Sequence, residues 1–130
     1  MKTIRVSEAT NTQLDWLVAK CWYTDRRTEL GVLGHAAFAV ERAPGSGDRY
    51  TGWMLFTPTT DPAQMWPIID REKIAANWRI TDAEGGGYWQ AENLFTDTYG
   101  FIGPTALIAA ARCYVASKLG ETVEVPEELT

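Results

Sequence analysis

Between Asn11 and Trp22 the apolar residues Leu14, Leu17, Val18 and Cys21 recur at i, i+3, i+4 and i+7, so they form one helical stripe. Asp15, Trp16 and Lys20 fall off that stripe. Thr10-Asn11-Thr12-Gln13 offers a capping box at its start, and the helix is expected to end near Trp22. A second principal helix is predicted from Pro104 or Thr105 to Leu119. Pro104 suits a first turn that needs no N–H, and Lys118 followed by Gly120 suits the dipole and a left-handed cap at the other end. Leu107, Ala110, Ala111, Tyr114 and Val115 line one face of this helix. Ala106, Ala109, Ala110 and Cys113 make a neighbouring face of small side chains, fit for close approach by a sheet, a helix or a second copy of the chain.

The pattern changes to strands in the middle. Ala36 to Arg42 and Tyr50 to Phe56 flank the turn chemistry of Pro44-Gly45-Ser46-Gly47-Asp48, which predicts a hairpin. Asn77 to Thr81 and Tyr88 to Leu94 flank Asp82-Ala83-Glu84-Gly85-Gly86-Gly87, which predicts another. Tyr23 to Gly34 reads as a loop, and Thr57-Pro58-Thr59-Thr60-Asp61-Pro62 as a break, since proline restricts both itself and the residue before it. A short helix is expected from about Pro67 to Ile74, with Ile68 and Ile69 inward and Asp70, Arg71, Glu72 and Lys73 as a charged cluster. Glu121 to Pro126 alternates like a short edge strand, and Glu127 to Thr130 is expected to fray. The fold class is therefore α+β: two main helices, from the N- and C-terminal regions, packed on a small antiparallel β-sheet. Residues 1–130 form a single domain, with 121–130 an acidic C-terminal tail or short edge strand.

At 130 residues, 45% apolar and 22% charged, the chain has enough apolar material for a core. Its net charge of −5 argues against duplex nucleic acid as a partner. The sum hides an uneven distribution. Glu121, Glu124, Glu127 and Glu128 lie after Gly120 with no base among them, leaving 12 bases against 13 acids in residues 1–120, so a small anion is not disfavoured by the body. No apolar run approaches the roughly 18 residues of a membrane span, and Met1-Lys2-Thr3-Ile4-Arg5 does not open a secretory signal. Cys21 and Cys113 are too far apart in sequence for a metal motif and are read as reduced thiols of a cytoplasmic protein.

Candidate chemistry is sparse. His35 is the single histidine and has no nucleophile at a recognisable spacing, so no catalytic residue is assigned to it. No metal or cofactor is expected, since the only carboxylates for Mg²⁺, or for a small hydrolase, are Asp61, Asp70 and Glu72 around the proline loop. Six tryptophans exceed what a core of this size needs, and aromatic faces beside Arg71, Arg79 or Arg112 would suit a planar base with its phosphate. Gly103-Pro104-Thr105 opens a helix whose free N–H groups suit an anion. Gly85-Gly86-Gly87 lacks the Lys and Ser/Thr of a nucleotide loop and is explained by a turn.

Three stretches carry a resemblance. Val6-Ser7-Glu8 with Leu14 to Cys21, Thr57 to Gln64 with Pro67 to Glu72, and Gly103 to Gly120 together resemble the NinX-like family of small phage and prophage proteins. Met65-Trp66 departs from that likeness, since a pair of glycines is expected before Pro67. The resemblance implies an accessory phage protein acting in the host cytoplasm, as a host-defence antagonist that binds a host protein or removes a signalling molecule. The leading expectation is a non-catalytic binder that sequesters a small anionic, nucleotide-derived signal. In it Trp66 and Trp78 stack on the base, Arg71 pairs with phosphate, Asp61 accepts from a ribose hydroxyl and Thr105 supplies the helix-start anion site. The alternative is a protein-interaction module that inhibits or redirects a host protein through exposed tryptophans. A pocket gathering Trp66, Arg71 and Thr105 favours the first, and an exposed aromatic surface the second.

Overall fold

A helix that is apolar around nearly its whole circumference has to be covered from more than one side. That describes the last helix, and it organises the fold. The computed structural model describes residues 1–23, 28–33, 36–42 and 50–130, with backbone alone for 28–33, 36–42 and 50–54. In chain order its elements are β1 (Lys2–Arg5), α1 (Asn11–Trp22), β2 (Thr28–Leu33), β3 (Ala36–Arg42), β4 (Tyr50–Leu55), α2 (Pro62–Glu72), β5 (Ala75–Ile80), β6 (Gly87–Asn93), β7 (Thr98–Gly103), α3 (Ala106–Leu119) and β8 (Thr122–Val125). The strands form two antiparallel sheets, β2-β3-β4 and β5-β6-β7, and an antiparallel ribbon of β1 with β8. The class is α+β as expected. The arrangement is richer than two helices on one sheet, because α2 is a third helix and the strands fall into three groups.

α3 packs on β6 and β7 with one side and on α1 with another, while α1 in turn touches β2 and β3. Ile108 to Ala111 and Cys113 to Val115 are all buried as a result. The small-residue face does its work here, inside the domain: a Cβ on Gly103 would come within 2.8 Å of the Ala109 nitrogen and 2.9 Å of the Ile108 side chain. That face is therefore not available to a second copy. α1 is likewise buried from Gln13 through Ala19, so Trp16, which the apolar stripe leaves out, is a core residue. The Thr10–Gln13 capping box forms as predicted, and the Gln13 amide also donates to the Leu129 carbonyl at 3.2 Å.

Several local expectations change. α2 begins five residues early, because Asp61 caps it by accepting from the Ala63 N–H and Pro62 occupies the first turn, where its missing N–H costs nothing. β2 lies in a stretch that reads as a loop, and β7, with two glycines among its six residues, forms where the sequence pattern predicts no element. Thr105 is the N-cap of α3, so Pro104 precedes the helix, and Gly120 has a positive φ of 85° without the left-handed ψ. The last residues do not fray: Glu127–Leu129 form a 3-10 turn that buries Leu129. Both hairpins are present as strand pairs, β3 with β4 and β5 with β6. His35 and the turn after Arg42 lie outside the described residues.

Asp15 links α1 to the proline loop. Its buried carboxylate accepts from the Thr59 N–H at 2.9 Å and the Thr59 hydroxyl at 2.8 Å. Burial pushes the carboxyl up to about 6 from an ordinary 3.8, against both hydrogen bonds, which favour the charged form. With the folded value above the unfolded one, the folded state holds the extra proton between these limits, so stability falls as pH rises from about 4 through 6. Asp15→Asn removes that dependence. In urea unfolding at pH 4 and pH 7, the stability difference between variant and wild type is expected to move by about 2 kcal/mol in the variant's favour at the higher pH. An unchanged difference would refute the assignment.

Candidate functional site

Three of the five expected ligand residues belong to α2, and the helix points them in different directions. Asp61 sits at the N-cap with one carboxylate oxygen on the Ala63 N–H. Trp66 is 63% exposed, while its neighbour Met65 is fully buried. Arg71 lies in the last turn, roughly 15 Å along the axis from Asp61 and about 140° around it from Trp66. Pro67 stands inside the helix, where it leaves the Ala63 carbonyl without its usual donor.

Arg71 is held elsewhere by partners of its own. Its guanidinium stacks 3.9 Å from the Trp22 ring centroid, and its Nε donates to Glu72 Oε2 at 3.3 Å. Lys118, at the end of α3, reaches the other Glu72 oxygen at 2.6 Å. Burial disfavours charge on Glu72, but Lys118 and then Arg71 outweigh it and hold the carboxyl below its ordinary value. Beneath this group the Tyr114 hydroxyl is buried without a hydrogen-bond partner, and burial pushes its pKa up and makes it a weaker acid than an ordinary phenol, with Cys21, Arg71 and Glu72 all near enough to act on it.

Trp78 and Thr105 occupy the opposite end of α3. Trp78 pairs across the sheet with Trp89, and Trp89 with Gly103, two residues before Thr105. The two indoles meet edge to face with centroids 5.6 Å apart. The Thr105 hydroxyl accepts from the Ile108 N–H at 3.2 Å, so it is first a cap. Since α3 rises about 1.5 Å per residue, Thr105 and the Arg71–Lys118 end stand on the order of 20 Å apart. The structure thus brings Trp78 near Thr105 and sets Arg71 apart from both.

The other candidates also have partners. Arg79 donates to Gln90 at 2.8 Å. Arg112 donates to the Ile102 carbonyl at 2.8 Å and the Ala9 carbonyl at 3.2 Å, tying the turn before α1 to β7, while its Nε is buried and unpaired. In the glycine loop the Glu84 and Gly86 N–H groups both donate to Asp82, which makes it a closed turn rather than a phosphate cradle.

Against this geometry stands a family match over most of the chain: the family described as Bacteriophage P22, NinX matches residues 5–118. The chain belongs to the NinX family. No curated protein sequence matches it. The match spans all three helices and both sheets of this NinX-family chain, and ends at Lys118, before β8.

In the NinX-family chain, Asp61 and the pair Asp70 and Glu72 lie at opposite ends of α2, with Asp70 facing Lys73 at 3.8 Å, so these carboxylates share no site. Among the described residues no group of three His, Cys, Asp or Glu side chains is placed to hold a metal, and no helix is long and apolar enough to cross a membrane. Cys21 and Cys113 are free and buried, which pushes their thiols up to about 11 and about 12 and leaves them poor nucleophiles at neutral pH. Two neighbouring clefts of about 350 and 280 Å³ share Tyr99, Phe101 and Glu121 beside β7, the first also reaching Arg5, and neither includes any of the five expected residues. What the sequence reading missed is apolar surface: Leu94, Phe95, Tyr99, Ile80 and Ile102 are all exposed. Period-2 counting across β5 and β7 was the signal available for Ile80 and Ile102.

Glu72 offers a test of this site. Its folded value lies below the unfolded one, so its stabilisation is present above about pH 4.5 and fades as pH falls through the lowered value. Glu72→Gln is expected to cost about 1–2 kcal/mol at pH 7 and much less at pH 3, read by urea unfolding. An equal cost at both values would show that Glu72 acts through packing alone.

Proposed function

We propose that this phage accessory chain acts without catalysis, by binding a host protein through an aromatic surface centred on Trp66. The observation that carries the reading is the indole itself. It is 63% exposed on a helix that the Asp61 cap and Pro62 start and that buried Met65 and Ile68 anchor in the core, and it has no hydrogen-bond or ring partner among the described residues. Covering it would release roughly 3 kcal/mol, the contribution of an interface anchor, without reordering the helix that carries it. Leu94 and Phe95 add exposed apolar area on other elements.

Sequestration of a nucleotide-derived signal draws less support, because the expected stacking, phosphate and helix-start residues fall into groups on the order of 20 Å apart along α3. Those groups are wider apart than one nucleotide's contacts reach.

The test is capture from host lysate followed by reconstitution with the purified partner. Trp66→Ala is expected to leave the thermal melt unchanged, since the ring is exposed, and to weaken partner binding at least 30-fold by titration calorimetry. Native mass spectrometry of the same preparation is expected to show the partner and no retained nucleotide. A retained nucleotide-sized mass, or a partner bound equally well by the variant, would overturn the reading.

A further inference from the structure

The β5-β6-β7 sheet has two edges, and only one is protected. On β7 the pairing with β6 shifts between Ala91 and Asn93, Gly100 adopts a φ of 76°, and Arg112 occupies the Ile102 carbonyl. A bulge and an occupied carbonyl are the usual means by which an edge refuses a further strand. β5 has neither. It pairs with β6 in unbroken register from Ala75 opposite Glu92 to Ile80 opposite Gly87, contains no proline, and meets no strand on its other side among the described residues. Its one charge, Arg79, is turned toward Gln90.

The two faces of β5 are chemically sorted. Ala76 and Trp78 lie opposite Ala91 and Trp89, on the side that α3 covers, and Ile80 continues that row. Ala75, Asn77 and Arg79 form the other row, opposite Glu92, Gln90 and Tyr88. α3 buries Ala91 but stops short of β5's end, leaving Trp78 42% and Ile80 72% exposed. An unprotected backbone edge beside an uncovered apolar row is a surface that another strand completes.

We propose that β5 joins two copies of this chain, the two β5 strands pairing antiparallel about a two-fold axis perpendicular to the sheet, so that six strands run through both. Such an axis keeps each face on its own side, and therefore passes through a residue position. At Trp78 it sets Trp78 opposite the partner's Trp78, Ala76 opposite the partner's Ile80, and Asn77 opposite the partner's Arg79. Small meets large on the apolar face, amide meets guanidinium on the polar one, and the Trp78–Trp89 contact extends into a row of four indoles. Moving the axis to Arg79 would set two guanidinium groups against each other. Moving it to Asn77 would set Ile80 opposite Ile74, which is buried in its own core. The chemistry of the strand thus selects a second copy in one register, and the interface is independent of Trp66.

Sedimentation of the full chain between 10 and 100 μM is expected to give the mass of two chains. Ile80→Lys, at a position the single chain leaves exposed, is expected to give the mass of one with a cooperative thermal melt that no longer depends on protein concentration, whereas the wild type's midpoint rises with concentration. Register is read by crosslinking, since directly opposed Cβ atoms lie within disulfide reach and the native thiols are buried. Under oxidation Trp78→Cys is expected to link to itself. Ala76→Cys is expected to link to Ile80→Cys and not to itself, a pair that keeps the test alive if loss of the Trp78 ring disturbs folding. A one-chain mass for the wild type, two-chain Ile80→Lys, or crosslinks in another pattern would overturn the proposal, as would a strand from a different protein captured by a monomeric chain.

Discussion

Everything in this fold answers to one constraint: α3 is packed from two sides at once. A helix flanked by a sheet and by another helix needs small side chains where its backbone is approached most closely, which is why Ala109, Ala110 and Ala111 stand in its middle and Gly103 lies under its first turn. α1 inherits the same condition from its place between α3 and the β2-β3-β4 sheet. Polar groups caught in such a layer need partners close by. Asp15 finds Thr59 and Gln13 finds the Leu129 carbonyl, whereas the Tyr114 hydroxyl finds none.

The same accounting explains why the expected ligand residues do not gather. A carboxylate or hydroxyl at a helix start is already engaged by backbone donors, as Asp61 and Thr105 are, and a guanidinium beside an indole and a carboxylate is engaged too. Residue types that suit ligand recognition also suit local structure, and in this chain the local use is visible for each polar one. Indoles differ. Their surplus is area rather than hydrogen bonds, and Trp66 and Trp78 retain it at the surface.

Elements with strong local grammar were legible in the sequence: the Thr10–Gln13 box, the hairpin from Asn77 to Leu94, and the long C-terminal helix. Where a signal has two meanings, reading failed. Asp61-Pro62 serves as a break and as a helix start, and the cap geometry decides for the latter. Glycines in Thr98–Gly103 suggest a loop until a partner strand and a tightly approaching helix give them a purpose. Asp15 falls off the stripe of four apolar residues, and nothing local announces that Thr59, far along the chain in the proline loop, closes over it. Whole-fold context likewise separated Trp66 from Trp16, one exposed and one buried, which residue type alone could not do.

The ribbon of β1 with β8 has a kinetic meaning. Lys2 pairs with Val125 and the Val6 N–H donates to the Glu121 carbonyl, so the first strand has no partner until nearly the last residues of the sequence arrive. Closing a loop of that length costs on the order of 4 kcal/mol of chain entropy, which a short ribbon does not recover by itself. Core formation around α1 and α3 has to precede it and supply the proximity. Val123, Val125 and Leu129 then seal a core already in place. On this account the ends of the sequence are the last part of the molecule to become ordered as it folds, and the first to let go when it unfolds.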